Sequence, residues 1–293
     1  MTDSCTASTP AGRVAGKVAL VTGAARGQGR GHAIRLAEEG ADIILFDLCH
    51  DIDTNGYPLA TSRDLKEAAL EVEKTGRRAI ATEVDVRDRA GLDTAVAAAV
   101  AEYGRLDVVV ANAGICPLGD GPVEAFADAF DVDLVGATNT IHACIPYLRE
   151  GASIIATGSV AALLAAGSQG GPSGAGGAGY VLAKQMLTTY IHTLAKVLAP
   201  KSIRANIIHP TNVNTPMLQS APMYRQFRPD LADPGPDDVT AAFASLQQMP
   251  GVPWIEPGDV SEAVVYLASP ESRYVTGLDL TVDADATLGR GVR

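Results

Sequence analysis

The feature that most constrains this chain lies near its start. Thr22-Gly23-Ala24-Ala25-Arg26-Gly27-Gln28-Gly29 follows a short apolar run, Val18 to Val21, and precedes a helical stretch, Arg30 to Glu39, that stops at Gly40. The run reads as a buried strand, so strand, glycine turn and helix come in immediate succession. Glycines let the backbone turn tightly and approach a ligand, while the helix start offers free N–H groups and a positive dipole end. Glycine turns are common, so the pattern alone is weak. Its strand–turn–helix context gives it weight.

The rest of the chain repeats that rhythm. Strands are expected at Asp42 to Phe46, Ala79 to Val84, Val108 to Ala111, Ser153 to Thr157, Ile203 to Ile208 and Asp279 to Val282. Helices are expected at Leu65 to Lys74, Leu92 to Tyr103, most of Pro122 to Tyr147, and Val181 to Leu198. Alternating strands and helices imply an α/β fold, a doubly wound parallel sheet covered on both faces and so three layers deep. The 293 residues, 47% of them hydrophobic, suffice for one such domain over 1–293. Residues 1–15 lack an apolar core and read as a flexible leader.

Three stretches break the rhythm. Leu48 to Ser62 makes a long connection after the second strand. Leu163 to Gly179 is rich in Gly and Ala and reads as mobile. Residues 217–257 carry seven prolines. Loops beyond roughly 12–15 residues are usually functional or disordered. One that leaves a late strand lies near the carboxyl edge of the sheet, where ligands bind, so 217–257 reads as a substrate lid. Its apolar residues Met217, Leu218, Met223, Phe227, Phe243, Leu246 and Trp254 suit a hydrophobic small molecule. Trp254 either lines a pocket or anchors the lid.

Composition narrows the partners. A formal charge of −11 with no basic run gives no attraction for nucleic acid or anionic membrane. No apolar run approaches the ~18 residues of a membrane span, and nothing resembles a signal peptide. Cys5, Cys49, Cys116 and Cys144 form no C-x-x-C pair, and the five histidines form no H-E-x-x-H. Neither a disulfide framework nor a metal site is expected, and a reducing cytoplasm fits.

Asp47 closes the second strand, 18 residues after Gly29. A carboxylate there can accept both ribose hydroxyls of a dinucleotide's adenosine and would repel a 2′-phosphate, which favours NAD over NADP. Arg26 argues the other way, since a basic residue there can pair with a 2′-phosphate. Asp47 decides, because it would touch the distinguishing group directly.

Tyr180 and Lys184 stand at i and i+4 on one helical face. An ammonium beside a phenol favours the phenolate, and such a tyrosine can exchange a proton with an alcohol or carbonyl oxygen. Helices often carry such pairs by chance. This one follows a strand whose exit, Gly158-Ser159, offers a hydroxyl to the same oxygen. Tyr190 and Tyr266 have no lysine at i+4 and read as packing residues. His209 reads as structural.

Thr22 to Gly29, Asn112-Ala113-Gly114, Ser159, and Tyr180 with Lys184 together resemble the short-chain dehydrogenase/reductase family, over about Gly16 to Asp283. The resemblance implies a Rossmann-type fold with a seven-stranded sheet, usually a homotetramer. It implies that Tyr180 is the acid/base, that Ser159 orients the substrate oxygen, and that Lys184 lowers the tyrosine pKa and holds the nicotinamide ribose. In the implied cofactor site, Gly23, Arg26, Gly27, Gln28 and Gly29 form the phosphate loop, and Asp47 and Leu48 meet the adenosine. Asp85 and Val86 flank the adenine, and Asn112, Ala113 and Gly114 line the middle. Pro210, Thr211, Val213, Thr215 and Met217 belong to the segment over the nicotinamide. The loop GAARGQGR, the insert with Tyr57-Pro58-Leu59-Ala60-Thr61, and HPTNVNTPM resemble the mycofactocin-associated, carveol-dehydrogenase-like members. That implies tightly bound NAD(H) and electrons leaving through an external redox carrier. The expected function is NAD-dependent interconversion of a secondary alcohol and a ketone.

The chain departs from the family at two points. Asp133 stands where the family has an asparagine credited with a water relay to the lysine, and it joins Ser159, Tyr180 and Lys184 in the expected catalytic set. Its carboxylate should favour charged Lys184, and hence the Tyr180 phenolate. The interval from Ser159 to Tyr180 is also longer than usual. Two rivals stand beside the dehydrogenase reading. A carbon–carbon double-bond reductase is disfavoured by the Tyr-x-x-x-Lys spacing. A non-catalytic dinucleotide-binding sensor or scaffold is favoured only by Asp133.

Overall fold

The computed structural model of the protein describes residues 12–164 and 171–288. Seven parallel strands form one sheet of order β3-β2-β1-β4-β5-β6-β7. They are β1 (Val18–Thr22), β2 (Asp42–Asp47), β3 (Ala79–Glu83), β4 (Leu106–Ala111), β5 (Leu148–Thr157), β6 (Arg204–Pro210) and β7 (Asp279–Val282). The chain builds outward from β1 through β2 to β3, then returns to add β4 on the other side. Adjacent connections therefore diverge between β1 and β4 and leave a crevice above the carboxyl ends, where this Rossmann-type fold binds ligands.

Two apolar layers cover the sheet. On one face lie α1 (Gly27–Glu38), α2 (Ser62–Lys74) and α10 (Pro257–Ala268), which bury Leu36, Val72, Val264 and Leu267 against Ala19, Val21, Ile43 and Leu45. On the other lie α3 (Arg89–Tyr103), α5 (Ala137–Cys144) and α7 (Gly174–Leu198), which bury Val96, Ile141, Leu187 and Ile191 against Leu20, Ile44, Val109 and Ile154. Every residue of β1 and β6 is buried, as two-sided covering of a parallel sheet requires.

The structure revises the sequence reading in four places. First, residues 12–15 are not loose. Val14 is buried, and the Arg13 N–H donates to Glu39 Oε2 at 2.8 Å. The remainder of the expected leader, 1–11, lies outside the described residues. Second, α1 begins at Gly27, inside the glycine turn. Third, the Gly-rich stretch before Tyr180 is partly helix, because α7 starts at Gly174. Its glycines permit close packing: a Cβ on Gly179 would stand 2.9 Å from Phe126 Cα in α4 (Glu124–Phe130), and one on Gly177 would stand 2.6 Å from the Pro172 carbonyl carbon. Residues 165–170 of that stretch lie outside the described residues. Fourth, α10 was not expected. Asp259 caps it by accepting the Glu256 N–H at 2.8 Å, and Ser261 Oγ lies 2.8 Å from His32 Nδ1 in α1.

The segment 217–257 folds into α8 (Ala221–Phe227) and α9 (Pro236–Ala244) around its own small core of Leu218, Val239 and Phe243. The Phe243 ring meets Phe227 edge-on at 4.7 Å between centroids and Trp254 at 6.2 Å.

Candidate active site

Two cavities open above the carboxyl ends of the strands and share Gln28, Gly158, Tyr180, Thr215 and Met217 as their common wall. The outer cleft runs past the glycine turn, Asp47, Leu48, Asp85, Val86 and Asn112 to Gly114. The inner cavity lies beneath the 217–257 segment and is lined by Val160, Leu164, Leu218, Met223, Phe227 and Leu246, among others.

The glycine turn is shaped by its neighbours. Gly23 has φ +65°, the left-handed region that glycine adopts without strain. A Cβ on Gly29 would collide with the Gly23 carbonyl and stand 2.7 Å from Asn112 Nδ2. Gly29 lines neither cavity and packs the helix on the strand, so its expected contact with a ligand is indirect. No side chain caps the start of α1, and Gly27 and Gln28 of its first turn line the outer cleft. Asn112 braces the floor. Its Nδ2 donates to the Thr22 carbonyl and its Oδ1 accepts from Thr157 Oγ1, both at 3.1 Å, tying β1, β4 and β5 together.

At the far end, the Ala25 N–H donates to Asp47 Oδ2 at 2.9 Å and the Cys49 N–H to Oδ1 at 3.3 Å. Burial pushes the Asp47 carboxyl up, and the two N–H donors offset only part of that. Arg26 lines the cleft, but its guanidinium donates to the Pro58 carbonyl and lies over the Tyr57 ring. It therefore holds the insert that follows β2. Asp85 is clasped by Arg87, with Nη2 2.7 Å from Oδ2. Burial opposes the Asp85 charge, but the bonds from Arg87 outweigh it and hold the carboxyl below its ordinary value.

The insert itself crosses the cleft. Tyr57 is buried, and its hydroxyl accepts the Cys116 N–H at 3.2 Å. Thr54 Oγ1 donates to Asp128 Oδ2 in α4 at 2.7 Å, and Gly56 packs against Pro222 of α8. Nothing in the sequence pairs the insert with these partners, because each contact is long-range.

The chemistry-bearing side chains converge at the wall between the cavities. Tyr180 and Ser159 line the inner cavity together, and the serine side chain favours the phenolate. The Ser159 oxygen accepts the Ala161 N–H at 3.1 Å, at the start of the short helix α6 (Val160–Leu163). Behind it, His209 Nδ1 lies 3.1 Å from the Ser159 carbonyl. The long interval to Tyr180 thus leaves serine and tyrosine side by side. Lys184 is buried, and its Nζ donates to the Thr157 carbonyl at 2.9 Å and lies 2.8 Å from Asp133 Oδ1. Asp133 is fully buried in a π-helical turn, Asp131–Gly136, and its Oδ2 accepts the Ile115 N–H at 3.1 Å. Such turns often mark functional positions. Gly114 sits where only glycine fits: a Cβ would stand 2.5 Å from Asp133 Oδ1 and 3.3 Å from Lys184 Nζ.

Of the segment that begins at the end of β6, Thr215 and Met217 border both cavities, whereas Pro210, Thr211 and Val213 line only the inner one. Phe243 and Trp254 line neither; they form the lid's own core, so Trp254 anchors the lid. Cys116 and Leu118 line the inner cavity and were not singled out from the sequence. Their place just after Asn112-Ala113-Gly114 was the available signal.

Fold and site together define a nucleotide-cleft oxidoreductase of the short-chain type. A family model described as enoyl-(acyl carrier protein) reductase matches residues 23–287. A Mycolicibacterium smegmatis protein described as a short-chain type dehydrogenase/reductase is 47% identical over 286 residues, spanning 95% of this chain and 99% of that one. The (-)-trans-carveol dehydrogenase of Rhodococcus erythropolis is 44% identical over 283 residues, spanning 94% and 99%. The crystal structure of carveol dehydrogenase from Mycobacterium avium in complex with NAD superposes with a TM-score of 0.88 at 43% identity, covering 94% of this chain and 99% of that one. The chain belongs to the short-chain dehydrogenase/reductase family.

Proposed function

We propose that the protein is an NAD-dependent dehydrogenase that interconverts a cyclic secondary alcohol and its ketone. The observation that carries this reading is the meeting of Ser159, Tyr180 and Lys184 at the wall between an outer cleft and an apolar inner cavity. The outer cleft fits a dinucleotide: an uncapped helix start faces it, and a Cβ on Gly23 would stand 3.0 Å from Ala113 Cα, so bare backbone lines the approach. Gly27 and Gln28 would meet the pyrophosphate, Asp47 the adenosine ribose, and Val86 the adenine. An ammonium has three donors, and Lys184 directs one to Thr157 and one toward Asp133. The third is free for the nicotinamide ribose. The bound nicotinamide supplies or accepts the hydride.

The side chains handle the proton. In reduction Tyr180 gives its phenolic proton to the carbonyl oxygen as hydride reaches the carbon. In oxidation it takes the alcohol proton as hydride leaves. Ser159 donates to the same oxygen and fixes its position. The relatives that act on carveol support a cyclic alcohol, and the apolar lid residues Leu218, Met223 and Phe227 suit one. The spacing of Tyr180 and Lys184 favours this chemistry over double-bond reduction, despite the description of the family model.

The insert supports a second part of the reading, that NAD(H) is held tightly and regenerated by an external redox carrier such as the mycofactocin system. Assembly as a homotetramer is part of the same reading. Leu182 and Met186 stand 39% and 45% exposed on α7, an apolar face that a second copy would cover. The test is to purify the protein, release and identify any bound nucleotide, and assay cyclic secondary alcohols with an artificial electron acceptor. NAD(H) that survives gel filtration, with alcohol-dependent acceptor reduction, is expected. Dinucleotide binding without turnover on any alcohol or ketone would instead favour a sensor or scaffold.

A further inference from the structure

A lysine one helical turn from a tyrosine is expected to acidify the phenol. Here the geometry opposes that effect. Lys184 Nζ lies 2.8 Å from a carboxylate that is fully buried, so the two form one ion pair beneath Tyr180. The pair sums to zero charge wherever its shared proton sits. Lys184 Nζ lies 2.8 Å from one Asp133 oxygen, and the Ile115 N–H donates to the other. An asparagine offers a single acceptor oxygen and would leave one of those donors facing an N–H₂. Gly114 has no side chain where one would strike the pair. The pocket is shaped for a carboxylate and an ammonium together.

We propose that Asp133 is a positioning residue that holds Lys184 as half of a neutral pair and thereby keeps Tyr180 a neutral phenol, ready to give its proton to a carbonyl oxygen. This rests on the reading of Tyr180 as the acid/base and reverses the expectation that the carboxylate favours the phenolate. The other groups facing Tyr180 act in the same sense. Burial raises the phenol well above its ordinary value, and Cys116 on the loop after β4, Asp133 on the π-helical turn and Tyr57 on the insert all add to the rise. Ser159, at the exit of β5, opposes it. From β6, His209 interacts with Lys184 rather than with Tyr180, and burial pushes its imidazole down, toward the neutral form. With Lys184 balanced by Asp133, no uncompensated positive charge faces the phenol from these elements. The consequence is directional: at neutral pH the protonated Tyr180 serves reduction at once, whereas alcohol oxidation needs the phenolate and improves as pH rises.

The test has two arms. The first is direct. The tyrosinate absorption of cofactor-free protein is titrated with pH, and the same titration of Tyr180→Phe is subtracted. The difference should show Tyr180 ionising above the ordinary phenol value of about 10. Ionisation at or below that value overturns the proposal, whether or not the protein turns over any substrate. The second arm compares pH–rate profiles of alcohol oxidation for the parent and Asp133→Asn. Removing the carboxylate leaves Lys184 uncompensated, so the acid limb should move to lower pH by about one unit or more. A limb that stays in place or moves to higher pH overturns the proposal. The first arm needs no Asp133 variant, so it decides the matter even if Asp133→Asn fails to fold. Absence of alcohol turnover in the parent would count against the proposed function and leave the first arm intact.

Discussion

The outer cleft and the inner cavity share a wall at Tyr180 but are built from different materials. The outer cleft is walled by strand ends and tight turns: Gly23 just past β1, Asp47 on β2, Asn112 just past β4. Its side chains are fixed by backbone partners, as Asp47 is by Ala25 and Cys49, and Asn112 by Thr22. The inner cavity is roofed by α8 and the loop before it, which pack with α9 around a core of Leu218, Val239 and Phe243 that is separate from the two layers on the sheet. One region borrows its rigidity from the sheet, and the other must supply its own. A site that binds a constant ligand can be written into strand ends, whereas a site that selects a substrate sits on a separable piece that can change without disturbing the sheet.

The sharpest way to break this comparison is at the shared wall. Tyr180→Phe keeps the ring and removes the proton, so turnover should fall roughly 10²–10⁴-fold. Dinucleotide affinity should hardly change, because the proposed role of the hydroxyl is toward the substrate oxygen. Near-parental turnover on an authentic substrate would remove Tyr180 from the mechanism.

Next comes the independence of the lid. Phe243→Ala deletes the ring that Phe227 and Trp254 pack against, a change that typically costs about 3–5 kcal/mol when such a core cannot close up. If the lid is a separate unit, that loss appears as a raised KM and a low-stability transition in denaturant, with dinucleotide affinity preserved. Loss of dinucleotide binding in step with substrate binding would show that the two regions are one.

The comparison also explains what the sequence disclosed. The strand–turn–helix at Thr22 to Gly29, the strand-end Asp47 and the Tyr180–Lys184 pair were legible because each is local: neighbours in sequence are neighbours in space. The seven strands were legible for the same reason, as apolar runs between turn residues. The Tyr57–Cys116 contact and the α4 surface that demands glycine at 179 join residues far apart, and no periodicity announces them; the approach of Asp133 to Lys184 was legible only through the family resemblance. The Gly-rich start of α7 reads as loop because glycine disfavours helix, and only tertiary packing reverses that. The lid helices were hidden by the prolines that start them, Pro222 and Pro236, which look like breaks when the partner surface is unknown.

Within the outer cleft, the proposed reading gives Asp47 the choice between NAD and NADP. Charge-assisted hydrogen bonds contribute roughly 1.5–3 kcal/mol each. Asp47→Asn should therefore weaken NAD about tenfold or more and narrow its advantage over NADP, as titration of cofactor-free protein will read. Burial raises the Asp47 carboxyl, so NAD affinity should start to fall at a higher pH than for an exposed aspartate as the solution is acidified. Equal parental affinities for the two dinucleotides would sink this role for Asp47.

The smallest effect tests whether the outer cleft is fixed throughout. Its one added piece is the insert after β2, which reaches Cys116, Asp128 and Pro222 and so spans from the sheet to the lid. Tyr57 holds it by a single hydrogen bond, with the phenolic oxygen accepting from the Cys116 N–H. Tyr57→Phe removes that acceptor and keeps the ring under Arg26. A neutral hydrogen bond is worth about 1 kcal/mol, or roughly a fivefold change in an equilibrium. If the insert straps the dinucleotide in place, the loss should appear as about fivefold faster NAD dissociation with an unchanged association rate, because opening and not encounter limits release. Stopped-flow displacement of NADH fluorescence separates the two rates. If both rates are unchanged, the insert is a brace between β2 and the lid, and the cofactor is held by the strand ends alone.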